Sequence, residues 1–244
     1  MIVGPLIALA TGGTDRNGMS NLHYPQFCAL ARAAEIIGER WTLLIIRELL
    51  LGPKRFGDLL DHLDGMSPTL LTARLTTLIE CNVVRRAVLP RPANAQVYEL
   101  TEIGREIQPA IRELIRWGGR FLFPPAAGDT FEPDWVMLGL DAIAKRSPVP
   151  DINIGLVVTH GRKSAGFTVT GSGSGTSIHR GIADCKGTLE APFDAVLQII
   201  GKSVSLQDAV EAKRARVSGS MALVRKLPVL FDLAERRRVP PGAN

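Results

Sequence analysis

The sequence predicts an α+β chain of two domains, a helical domain closed by a β-hairpin and then a mixed or antiparallel sheet covered by helices. Three observations carry this reading. Leu71, Leu75 and Leu78 stand at i, i+4 and i+7, the spacing of one apolar helix stripe, and two β-type runs follow at once around Pro90 to Asn94. From Asn153 onward, alternating runs rich in β-branched residues recur between turn residues. The 244 residues, 45% of them hydrophobic, suffice for two separate cores.

In order, residues 1–22 begin with an apolar patch and then turn to Gly, Thr, Asp and Asn. No basic segment precedes the patch, so it does not read as a signal peptide. It is expected to be a disordered tail, or upstream sequence of a chain whose translation begins at Met19. Residues 27–38 carry Leu30, Ala33, Ala34 and Ile37 at helical spacing. Residues 41–51 are apolar almost throughout, as a central buried helix would be. Residues 56–63 form a short third helix, and Asp64 and Gly65 turn into the fourth. There Ser67 is the expected N-cap and Pro68 the first helical residue, where its missing N–H costs little. The face opposite the leucines offers Ser67, Thr69, Thr72, Ala73 and Thr76, side chains short enough to let a helix sit deep in a groove. A groove-sized helix followed by a basic, proline-stiffened hairpin is the pattern of a winged helix-turn-helix domain, here residues 23–125, and its expected partner is double-stranded DNA.

The net charge of +5 suits a polyanion but adds little by itself. Lys54, Arg55, Arg85, Arg86 and Arg91 are the expected phosphate contacts, or else a solvated basic face. Arg74 points sideways from the leucine stripe and reads equally as a phosphate contact or as half of an internal salt bridge. Cys28, Cys81 and Cys185 are odd in number and widely spaced, which gives neither a zinc pattern nor a disulfide framework and favours a reducing cytosol. The four histidines show no metal spacing, and no apolar run reaches membrane-spanning length. Gly171 to Gly175 reads as a hairpin turn, lacking the spacing of a phosphate loop or a nucleophile elbow. With no catalytic constellation, no enzyme activity, cofactor or metal is expected.

Residues 101–123 read as a long helix that Pro109 kinks or splits. Its apolar surplus exceeds the needs of one small domain, which predicts a homodimer through this segment and the first helix. Prolines and glycine at 124–128 mark the domain boundary. In the second domain, residues 129–238, the pattern predicts a helix over 135–145, strands over 153–159, 164–170, 176–179, 186–190 and 214–217, and helices over 193–200, 206–212 and 220–233.

Cys28, Ile37 through Leu49, Gly52 through Leu59, then Ser67, Pro68, Leu71, Arg74, Leu75 and Leu78, and finally Tyr98 through Gly104 stand in an order and spacing that resembles the HxlR family of bacterial winged-helix regulators. The resemblance covers the N-terminal half. It implies a homodimeric, cytoplasmic transcriptional regulator that lays two recognition helices in successive major grooves, with the wing on the flanking backbone or minor groove. It also implies that Cys28 lies near the dimer interface, as a redox sensor or as a small buried hydrophobe. The recognition helix departs from the family in having small rather than long polar side chains. The second half, with Gly187 to Ala191, Ala209, Val217 to Ser220, Leu227 and Pro228, resembles the sterol carrier protein fold. That resemblance implies an apolar tunnel for a lipid or other apolar effector, lined by Trp135, Leu138, Leu156, Phe167, Val169, Phe193, Leu197, Leu223 and Phe231; the alternative is a filled core. From a different class, the chain reads as a lipid or acyl carrier using the winged helix solely to dimerise.

Overall fold

The computed structural model describes residues 23–122 and 128–233. The expected tail and nearly all of the expected linker lie outside these residues. The fold divides into two compact units, one ending at Arg105 and the other beginning at Glu106.

The first unit runs α1 (Ala29–Ile37), α2 (Thr42–Leu50), α3 (Phe56–His62), α4 (Pro68–Glu80), β1 (Val84–Val88), β2 (Gln96–Leu100) and α5 (Glu102–Arg105). Ile45, Ile46 and Leu49 of α2 are buried with Leu59, Leu71, Leu75 and Leu78, so the most apolar helix is central, as its composition requires. β1 and β2 form an antiparallel hairpin that pairs Val84 with Leu100 and Val88 with Gln96. α5 closes the unit: the Thr101 hydroxyl accepts the Gly104 N–H at 3.0 Å. A Cβ on Gly104 would stand 2.0 Å from the Val83 carbonyl oxygen, so only glycine allows this approach.

The second unit begins with α6 (Gln108–Gly118) and a 3₁₀ turn, Gly119–Phe121. The expected long helix over 101–123 is therefore split. Residues 106 and 107 leave the helix, and Pro109, lacking an N–H, falls in the first turn of a new one where none is needed. α6 lies against α7 (Trp135–Ile143), and Arg112 Nε donates to Asp141 Oδ2 at 2.5 Å. The expected first domain, 23–125, and the first compact unit thus differ by α6.

Five strands follow: β3 (Ile152–His160), β4 (Lys163–Ser172), β5 (Gly175–Arg180), β6 (Gly187–Pro192) and β7 (Arg216–Gly219). Their order is β5-β4-β3-β6-β7, antiparallel throughout except for β3 with β6. α8 (Phe193–Ile200), α9 (Leu206–Glu211) and α10 (Met221–Val224) join α7 in covering one face. The helix expected over 220–233 ends at Val224, and Leu227–Leu230 forms a 3₁₀ turn; Pro228 cannot supply the hydrogen bond a continuing helix needs. Because β6 lies beside β3 while β5 is an edge, residues 181–186 must cross the sheet. They do so on the face opposite the helices. Thr168 Oγ1 donates to Gly181 O and accepts the Ala183 N–H, and Asn153 Nδ2 donates to the carbonyls of Ala183 and Asp184. The helix-covered face is the core, with Ile154, Leu156, Val158, Phe167, Val169 and Leu189 all 0% exposed.

Candidate nucleic-acid interface

α4 begins where expected. Ser67 is extended and its Oγ accepts the Leu70 N–H at 3.3 Å, with Pro68 next in the first turn. Leu71, Leu75 and Leu78 anchor one side in the core, so geometry alone turns Ser67, Pro68, Thr69, Thr72, Ala73 and Thr76 into solvent. The threonine hydroxyls are committed to the helix itself. Thr72 Oγ1 donates to Pro68 O at 3.0 Å, Thr76 Oγ1 to Thr72 O at 2.9 Å, and Thr77 Oγ1 to Ala73 O at 3.2 Å.

The wing leaves α4 through Asn82, whose φ of 54° lies in the left-handed region that asparagine tolerates. Arg86 and Arg91 are exposed. Arg85 is exposed too, but its Nη2 lies 2.6 Å from Glu99 Oε1 across the hairpin. The turn before α3 joins this ribbon through one antiparallel bridge: Lys54 N–H donates to Tyr98 O at 3.0 Å and Tyr98 N–H to Lys54 O at 2.8 Å. That bridge brings Lys54 and the exposed Arg55 beside the wing although they lie far from it in sequence. Thr76, Ile79 and Glu80 of α4 face Arg85 and Arg86 across a shallow groove of ≈ 400 Å³.

Of the two readings of Arg74, the structure forms the internal ion pair. Its Nη2 donates to Glu39 Oε2 at 2.6 Å, and its Nε is buried without a partner among the described residues. Arg74 is thereby withdrawn from the expected phosphate contacts, since a guanidinium held inward cannot also meet the duplex. Sequence reasoning missed a second charged cluster. Glu48 of α2 is fully buried between Arg47, 2.8 Å away, and His62 Nδ1 of α3, 2.9 Å away. Burial holds the Arg47 guanidinium below its ordinary pKa, and the Glu48 carboxylate opposes that. No sequence motif signals the cluster, because Glu48 and His62 are 14 residues apart.

Cys28 precedes α1 and is exposed in the single chain. Cys81 differs: burial, then the neighbouring Glu80 carboxylate, push its thiol up from the ordinary range. Among the described residues, no group of three or more His, Cys, Asp or Glu side chains could hold a metal. No helix among them is long and apolar enough to cross a membrane.

The residues expected to line a tunnel fall into two sets. Leu156, Phe167 and Val169 have no accessible surface and Phe231 has 4%, so no water-sized space adjoins the first three. They are packed core, as in the alternative of a filled domain. Leu138 is buried but stands outside the sheet-facing cluster, whereas Phe193, Leu197 and Leu223 pack half-buried at its edge and Trp135 is half-buried on α7.

The HxlR-like helix-turn-helix family matches residues 36–125 of the chain. An HTH-type transcriptional regulator of Mycobacterium tuberculosis is 41% identical over 97 residues, 40% of this chain, and the chain spans 61% of that relative's length. The HTH-type transcriptional regulator YodB of Bacillus subtilis is 37% identical over 98 residues, 40% of this chain and 85% of YodB. The solved reduced form of YodB, 33% identical, covers 41% of this chain and 100% of its own, with a TM-score of 0.35.

Proposed function

This chain belongs to the HxlR-like helix-turn-helix family of transcriptional regulators, and from that premise we propose that it acts as a homodimer that binds operator DNA through α4 and the wing. The observation that carries the reading is the exposed face of α4, set beside a basic ribbon of Lys54, Arg55, Arg86 and Arg91. Small side chains on a helix of 13 residues suit entry into a major groove, and the cations of the ribbon beside it suit the flanking phosphates. Membership in a family of regulators lends no support to the acyl-carrier alternative.

Dimerisation is supported by two apolar helix faces that the chain leaves in solvent. Phe27 and Leu30 stand out at the start of α1, and Leu114, Trp117 and Phe121 along α6 and the turn after it. Modulation is proposed at Cys28. YodB has been solved in reduced and quinone-bound forms, and Cys28 is the cysteine of this chain that solvent reaches most freely. An apolar effector in the second unit is a further part of the proposal. It is supported by the one-sided helical cover and the half-buried rim of Phe193, Leu197 and Leu223, and it requires the packed core to open.

The test is a gel shift with the chain's own upstream region at several salt concentrations. Affinity should fall steeply with salt, as phosphate contacts require, and be lost on treatment with a quinone except in Cys28→Ser. Salt-independent binding, or no preference for that region over random duplex, would remove the DNA-binding reading.

A further inference from the structure

We propose that the exposed face of α4 selects its operator through thymine methyl groups, read by the methyls of Thr72, Ala73 and Thr76. This rests on the DNA-binding reading above and states what that site recognises. In the major groove, guanine is chosen by a bidentate Arg or Lys and adenine by Asn or Gln, whereas thymine alone among the four ordinary bases presents a methyl. α4 contains no Lys, Asn or Gln, and its one basic side chain, Arg74, is turned inward onto Glu39. The side chains that could make bidentate contacts are therefore missing from the helix that would enter the groove.

What remains has a definite chemistry. With the Thr72 and Thr76 protons given to Pro68 O and Thr72 O, neither hydroxyl has a proton to offer to a purine N7 or to a guanine or thymine oxygen. The same rotamer that turns each oxygen back onto the helix leaves its methyl free to face outward. Ala73 adds a third methyl between them, and all three residues are exposed. Three methyls within about one helical turn make an apolar patch on a helix otherwise suited to a polar groove. Polar readout falls to Ser67 and Thr69 at the helix start, and the cations of the wing supply affinity without sequence choice.

The experiment uses the full-length chain. Its preferred site is first selected from random-sequence duplexes. That site is then remade with uracil in place of thymine, which removes the methyl and keeps every base-pairing and groove hydrogen-bonding group. Affinity should fall about fourfold for each contacted methyl removed. Thr72→Ser and Thr76→Ser, which keep the hydroxyl and lose the methyl, should weaken binding to the thymine duplex more than to the uracil duplex and so reduce the discrimination between them. Thr72→Val, which keeps the methyl, should preserve the discrimination. Equal binding of thymine and uracil duplexes would overturn the inference while leaving sequence-specific DNA binding intact. So would loss of discrimination in Thr72→Val together with its retention in Thr72→Ser, which would assign the reading to the hydroxyl. If no site can be selected at all, this inference and the reading beneath it both fall.

Discussion

In the first unit, the leucine stripe of α4 fills the core and, by the same periodicity, turns six small side chains into water. In the second unit, β3 and β4 also alternate, but their apolar side chains are sealed under four helices and their outward side carries Asn153 and Thr168, tied to the crossing loop, and Thr170, which donates to Asn153. A stripe that is buried therefore says different things in the two places. On α4 it identifies, by exclusion, the face left for a partner. In the sheet it identifies side chains that meet each other, and an apolar side chain looks the same in sequence whether it lines a tunnel or fills one.

The largest effect should separate these cases. Phe167→Ala should cost ~3–5 kcal/mol in denaturant unfolding, because a packed site leaves a cavity that the surrounding core cannot collapse into. Val169→Trp should destabilise by ~1–3 kcal/mol or more through overpacking; an unchanged unfolding midpoint would instead reveal space for a ligand. Next comes the buried ion cluster of the first unit. Glu48→Ala leaves Arg47 and His62 without their carboxylate and should cost ~3–5 kcal/mol, read in the same titration. Ser67→Ala removes the cap of α4 and should cost ~1 kcal/mol.

Smaller changes in stability sharpen the contrast between the basic residues. Arg86→Ala and Arg91→Ala should leave unfolding within ~0.5 kcal/mol of the parent chain while lowering the slope of log affinity against log salt by about one each. Arg74→Ala should do the reverse, destabilising the unit and leaving the salt slope alone, because its partner is Glu39 and not phosphate. A drop in slope for Arg74→Ala would show that the ion pair opens on DNA.

The smallest effect concerns Glu35, which accepts the Tyr24 N–H at 2.8 Å and pairs with Arg32 at 2.5 Å, holding residues 23–26 against α1. The Arg32 guanidinium first, and then the Tyr24 N–H, hold its carboxyl below the ordinary carboxylate range. A carboxylate with a depressed pKa stabilises the fold above its unfolded pKa, and that contribution disappears as pH falls through the folded value. Protection of the Tyr24 N–H from exchange, taken relative to the unstructured rate at each pH, should therefore fall on acidification in the parent chain and be low at all pH values in Glu35→Gln.

Local pattern was a sufficient guide wherever one helix turn or one strand repeat carried the information. The order of α1 to α4 and the hairpin, the exposed face of α4, its Ser67 cap and the strands of the second unit were legible in the residue pattern. Each follows from spacings of two to four residues, and the leucines or β-branched residues at those spacings have one way to reach a core. Pro109 announced a break, but whether it kinked or split the helix depended on residues 106 and 107 leaving the helical path. The folded arrangement settled that Arg74 faces Glu39, 35 residues away, that Glu48 is enclosed by Arg47 and His62, and that Lys54 joins the wing through Tyr98. It also decided that Phe167 and Val169 fill their core and that α6 packs with α7. These outcomes depend on which surfaces meet once the chain has folded. A charge finds the nearest opposite charge in space, and a side chain lines a cavity or closes it according to the volumes of neighbours that the sequence does not bring together.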